Sequence, residues 1–397
     1  MFFNLNRFRL VTRYDPRKTY DGYTIFAPMG PGKVWLIDME GNFIHSWEMG
    51  YLPGEHGRFL PNGNLLYAGK VIPAPMNHLG GFGGILIEAD WDSNIVWEHE
   101  DLYQHHDFYR MDNGNTMVLR WVQVPEDIAA KVKGGFPGSE RDGKMWTDSF
   151  REISPDGNVV WEWFGYEHLN LDIDTICPLC PRSEWTHANA CFVLPNGDIL
   201  TTFLRTNTIA IIDKVTGEIK WRWGRETLAH PHDPTFLDNG NVLVFDNGIH
   251  RKLAIPNYSR VLEINPRTDE IVWEYKDDPA RHFYGSQVSG CQRLPNGNTL
   301  ICEGTTGRIF EVTPEKQTVW EFWSPFYSNV QVYGWTNQIF RAYRFSPDYE
   351  GLRGKTLDPG AFKWVLQRKN KPDIVRCYDS LDDDEAPLEK RLRDLGY

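Results

Sequence analysis

Six near-copies of one short unit constrain this chain more than any other feature. VWLIDMEGNFIHSWEM, ILIEADWDSNIVWEHE, FREISPDGNVVWEWFG, IAIIDKVTGEIKWRWG, VLEINPRTDEIVWEYK and IFEVTPEKQTVWEFWS each read as a β-rich run, a turn and a second run carrying tryptophan. The repeated tryptophans are Trp47, Trp97, Trp161, Trp221, Trp273 and Trp320. A second signature falls between the units: LPNGN at 60–64, MDNGN at 111–115, LPNGD at 194–198, LDNGN at 237–241 and LPNGN at 294–298. Asn-Gly specifies a tight hairpin turn, because glycine takes positive φ at no steric cost. Two hairpins per period make four strands, which is one propeller blade. The sequence therefore predicts an all-β fold, a six-bladed β-propeller forming a single domain over residues 1–397.

The sixth unit is followed by no Asn-Gly signature and carries VYGWTNQIFRAYRF instead, which predicts a different closure. The N-terminal strand around YTIFAP is the candidate to complete the ring. Insertions at about 121–148 and 165–185 interrupt the strand pattern, and loops of that length in a compact domain serve as lids or contact surfaces. A charged C-terminal extension at about 378–397 reads as a short solvated helix.

The 16 tryptophans among 397 residues fit a repeated structural role. A formal net charge of −12 argues against nucleic acid and membrane surfaces as partners, and obliges any anionic substrate to find a local positive site. No run approaches the ~18 apolar residues of a membrane span, and the first residues lack a leader's apolar stretch, so a cytoplasmic location is expected. Charged tail and long loops together allow a homodimer. Of six cysteines, Cys177 and Cys180 form the one C-x-x-C. Without a second such pair they read as two reduced loop thiols, ahead of a redox pair or half of an intersubunit metal site.

Residues equally far before each Asn-Gly turn sit at equivalent places around a propeller's axis. Five residues back gives Glu55, His106, Asn189, His232 and Ser289; seven back gives Pro53, Gln104, His187, His230 and Gln287. Both sets share one strand face, since side chains alternate with period two. His106, His187, Asn189, His230 and His232 are thus expected at one axial site, with His56 and His105 on the opposite phase. A single histidine is an ordinary polar residue; several at matched positions point to chemistry. They could hold a divalent metal, with His106, His187, His232 and His230 as ligands. Alternatively one imidazole is a nucleophile, and its neighbours with Arg205 stabilise an anionic transferring group.

Here the chain resembles the bacterial arylsulfotransferase family, six-bladed propellers that move a sulfuryl group between phenols. The resemblance runs from GYTIFAP through the Asn-Gly repeats to IFRAYRF. It is most specific in EWTHANACFVLPNGDILTTFLRTNTIAIID, where the family's H-x-N and downstream arginine match His187, Asn189 and Arg205. The family's His-Asp pair matches His106 and Asp107, and its nucleophilic histidine matches His232. The resemblance implies attack by His232 on an aryl sulfate, a phenolic acceptor, sulfuryl stabilisation by His106, His187, Asn189 and Arg205, and no required cofactor. Extra histidines, with Glu55 and His56, keep open a metal-dependent lyase, hydrolase or oxygenase acting on a small aromatic compound. A non-catalytic protein-binding propeller is the third reading.

Overall fold

A computed structural model describes residues 10–30, 32–252, 254–330, 334–363, 365 and 375–376. Six antiparallel sheets, five of four strands and one of five, form the blades of a propeller. The second begins with the inner strand Pro53–Phe59, the third with Gln104–Arg110, the fourth with Phe192–Val193, the fifth with Pro231–Phe236 and the sixth with Gly290–Arg293. In each of these an Asn-Gly turn leads from the inner strand to the second, and its glycine has φ between 84° and 89°. The blade without that turn is the first, not the sixth. Its inner strand, Ile339–Phe345, comes from the far end of the chain and pairs with Tyr23–Pro28 in the register Tyr23↔Phe345. The YTIFAP and IFRAYRF segments together close the ring. The sixth blade gains a fifth, outer strand, Val11–Tyr14, against Thr318–Trp323.

Blades are buried on both faces, so their middle strands read as continuous apolar runs. In the second blade, Leu65 and Tyr67 pack towards Trp47 of the first, while Leu66 and Ala68 pack towards Phe108 of the third. Four of the repeated tryptophans fasten neighbouring blades together. Trp97 Nε1 donates to Pro155 O at 2.8 Å, Trp221 to Asp269 Oδ1 at 2.9 Å, Trp273 to Pro314 O at 2.9 Å and Trp320 to Met39 O at 2.8 Å. Each contact reaches a turn of the next blade.

The two long insertions meet. Gly134–Phe136 pairs in parallel with Ile176–Pro181, a strand that includes both cysteines of the C-x-x-C. The expected tail helix at 378–397 lies outside the described residues. No helix among them is long and apolar enough to cross a membrane.

Candidate active site

The starts of the inner strands are not regular β-structure. Glu55, His106, His187, His230, Asp233 and Ser289 all have φ between 49° and 118°, a region non-glycine residues rarely enter. Strand pairing shifts register there in the second, third and fifth blades. These bulges re-aim side chains at the axis. They open a cavity of about 620 Å³ lined by Glu55, Lys70, His106, His187, Arg205, His230, His232 and Phe340 among others, within the size range of small-molecule sites.

His232 is the most sharply defined group. Asn247 donates its amide nitrogen to Gly285 O at 2.7 Å and Val288 O at 2.9 Å, which fixes the amide orientation. Its oxygen, 2.7 Å from His232 Nδ1, must therefore accept a hydrogen bond from that nitrogen, which keeps its proton. Burial, with Arg341 and His187 nearby, lowers the His232 pKa to about 3 against the Asn247 bond. A neutral ring protonated at Nδ1 carries its lone pair on Nε2.

His187 is braced by Glu184, whose carboxylate lies 2.9 Å from His187 Nδ1, 2.7 Å from Arg205 Nη2 and 2.9 Å from Trp121 Nε1. Burial alone would raise Glu184, but His187 and Arg205 draw it well below the usual carboxylate range. Arg205 sits in the turn Leu204–Thr206 after its strand rather than on it, and it meets an internal anion. His106 is held well below the ordinary imidazole range by burial and by its histidine neighbours. Its Nδ1 lies 2.8 Å from His105 Nδ1, and His105 Nε2 is 3.3 Å from Asp148 Oδ1. Burial pushes the Glu55 carboxyl up, towards its neutral form.

Asn189 is elsewhere. It is fully buried behind the wall, donating to Pro231 O at 2.9 Å and accepting from Thr202 Oγ1 at 2.7 Å. His187 and Asn189 precede the two-residue inner strand of their blade, so the alternation argument did not apply to them. His56 and Asp107 belong to an ionic plug beneath the cavity. Asp107 is 2.9 Å from His56 Nε2, 2.9 Å from Arg58 Nη2 and 2.8 Å from Arg341 Nη1. Arg341 Nη2 also donates to Asn189 O at 2.6 Å, and Asp233 Oδ1 lies 3.2 Å from its Nε. A smaller cavity of about 230 Å³, lined by Arg58, Asp107, Asp233 and Tyr343, follows along the channel.

Sequence reasoning missed Glu184, Lys70, Asn247, Arg341 and the Gly80-Gly81 turn that presses on His106. Glu184 was visible as E-x-x-H with His187; Arg341 was visible as a charge inside the apolar IFRAYRF. Among the described residues one group brings three or more metal-donor atoms within 4.8 Å of one another: Cys177, Cys180, His230 and His250. Of the four histidines expected as ligands it includes His230 alone.

Fold and site define a propeller with histidines around an axial pocket. Residues 60–325, more than half of the chain, match the arylsulfotransferase (ASST) family model, so the chain belongs to that family and is a sulfotransferase-like enzyme. No curated protein matches the chain. A solved protein of unknown function from Bacteroides caccae is similar at 14% identity and TM-score 0.51, over 82% of this chain and 99% of its own. An inactive variant of virginiamycin B lyase from Staphylococcus aureus, solved with quinupristin, is similar at 12% identity and TM-score 0.37, over 86% and 89%. At such identities the first likeness establishes the fold alone, and the second carries no argument.

Proposed function

We propose that this protein transfers a sulfuryl group from an aryl sulfate to a phenolic acceptor through a sulfo-histidine at His232. The observation that carries the reading is His232, which lines the cavity as a neutral ring with its Nδ1 proton held by Asn247 and its lone pair therefore on Nε2. In the first half-reaction Nε2 attacks sulfur, the N–S bond forms, the S–O bond breaks, and a phenolate leaves. Its pKa near 10 makes it a fair leaving group. In the second, an acceptor phenol loses its proton and attacks sulfur, and Nε2 recovers its electron pair. The proton given up by the acceptor balances the one taken by the departing phenolate.

Lys70 and Arg205 supply the positive side for the sulfuryl oxygens, and His187, oriented by Glu184, completes that wall of the cavity. His106, backed by His105 and Asp148, handles the proton. Glu55, shifted towards its neutral form, avoids repelling the substrate. Asn189 acts at one remove, holding the Pro231 carbonyl beside His232.

The test is release of nitrophenolate from 4-nitrophenyl sulfate with and without phenol. Phenol-dependent release is expected, with a single SO3 group on the peptide containing His232 when the acceptor is omitted. Full transfer by His232→Ala overturns the reading.

A further inference from the structure

The cluster of Cys177, Cys180, His230 and His250 is outside the chemistry assigned to His232, and its atoms are arranged in a particular way. Cys180 Sγ lies 3.3 Å from His230 Nε2 and 3.7 Å from His250 Nδ1, and Cys177 Sγ lies 3.6 Å from the same His250 nitrogen. A zinc ion with Zn–S near 2.3 Å and Zn–N near 2.0–2.1 Å separates neighbouring tetrahedral ligands by about 3.3–3.8 Å. The observed separations fall in that range with no adjustment. The two imidazoles stand at 74° with ring centroids 4.7 Å apart, so two different planes converge on one point.

Three segments distant in sequence supply the donors: the insertion strand Ile176–Pro181, the start of the fifth blade, and the turn after its second strand. Cys177, Cys180 and His230 are buried and His250 is half-buried. Asn207 Oδ1 accepts the His230 backbone N–H at 2.9 Å and fixes the residue in its left-handed conformation. Nonbonded contact among two thiols and two imidazoles does not require all four heads to meet at a common centre.

We propose that Cys177, Cys180, His230 and His250 bind one zinc ion, which pins the 165–185 insertion to the fifth blade. Two thiolates and two imidazoles select a soft tetrahedral cation. Four protein ligands leave no open position, so the ion is structural rather than a Lewis acid for the substrate. Because Leu179, Cys180, Pro181, His230 and His250 line the cavity, the ion sets one wall of the pocket. Binding free energy at such a site is folding free energy for the strap it holds. The inference goes beyond the sulfuryl-transfer reading and does not depend on it.

The test is elemental analysis of the full-length protein purified under reducing conditions without chelator. About one zinc per chain is expected, falling to background in the Cys177→Ser/Cys180→Ser double variant and in His250→Ala. Should those variants fail to fold, the wild-type protein still decides: after zinc removal, Co(II) should give the intense visible bands of tetrahedral coordination and thiolate charge transfer in the near ultraviolet. Folded wild-type protein that holds no zinc and yields no such cobalt spectrum overturns the proposal. So does an unchanged zinc equivalent in the folded double variant. Metal binding without sulfuryl transfer would leave this inference standing while removing the preceding one.

Discussion

At the scale of single residues, the site depends on atoms that are absent as much as on those present. Gly81 has φ +85°, and a Cβ there would lie 2.1 Å from His106 Cε1. Its carbonyl also accepts the His106 backbone N–H at 2.9 Å. Gly81→Ala should therefore displace the imidazole, and a misplacement of ~1 Å costs on the order of 10²-fold in rate. The expected outcome is a matching fall in kcat for nitrophenolate release, larger than is accounted for by the modest drop in thermal midpoint that alanine at positive φ brings, measured on one preparation. Such dependence was hidden in the sequence, where GGFGG reads only as a loop. His106, His187, His230 and His232 were legible because repeats supply a common origin for counting. The partnering of Arg341 was not, since Asp107, Asn189 and Asp233 come from three other blades. His250 was hidden for the same reason: its cysteine partners lie 70 and 73 positions away, with no local motif to flag them.

At the scale of elements, the repeated β-rich runs and turn chemistry located the strands, and the face reading held for the cavity histidines but not for Asn189. A single positive φ at His106 or His230 resets which side chains look inward. The insertions show the complementary limit. Their presence was legible as broken periodicity, but their pairing was not, because two three-to-six-residue segments carry no register signal. Only the 165–185 insertion reaches the cavity; Gly134–Phe136 supports it from the side of the 121–148 insertion. Gly134 sits at φ +82°, and a Cβ there would fall 2.0 Å from Ile176 O. Gly134→Val should thus unseat the Ile176–Pro181 strand while leaving the blades intact. Limited proteolysis should show faster cleavage within 176–181, accompanied by a several-fold rise in KM for the aryl sulfate and little change in thermal midpoint.

At the scale of the whole molecule, the axis stores a pH dependence. Burial lowers the pKa of His56 to about 4 and of His232 to about 3, and His106 also lies well below its ordinary value. Unfolded, each titrates near 6.5. Between the folded and unfolded values the unfolded chain binds more protons, so stability falls as pH drops through about 6.5 towards 4. Each histidine contributes at most about 1.4 kcal/mol per pH unit in that window. Thermal midpoints measured from pH 8 to 4.5 should fall on the acid side of about 6.5, with a shallower slope in His56→Asn. A midpoint flat across that range would contradict buried neutral imidazoles.

The joining of Tyr23–Pro28 to Ile339–Phe345 has a consequence for synthesis. On the ribosome the first half of that pair emerges long before the second, because the whole of five blades separates them in the chain. At ~5–20 residues per second, the Tyr23–Pro28 edge waits some tens of seconds for its neighbour. During that interval the nascent ring is an open arc, with an apolar, unpaired strand edge that another chain could capture. The step most exposed to aggregation is therefore the last one, and a holdase that shields the N-terminal blade during translation should raise the yield of closed rings more than one acting after release.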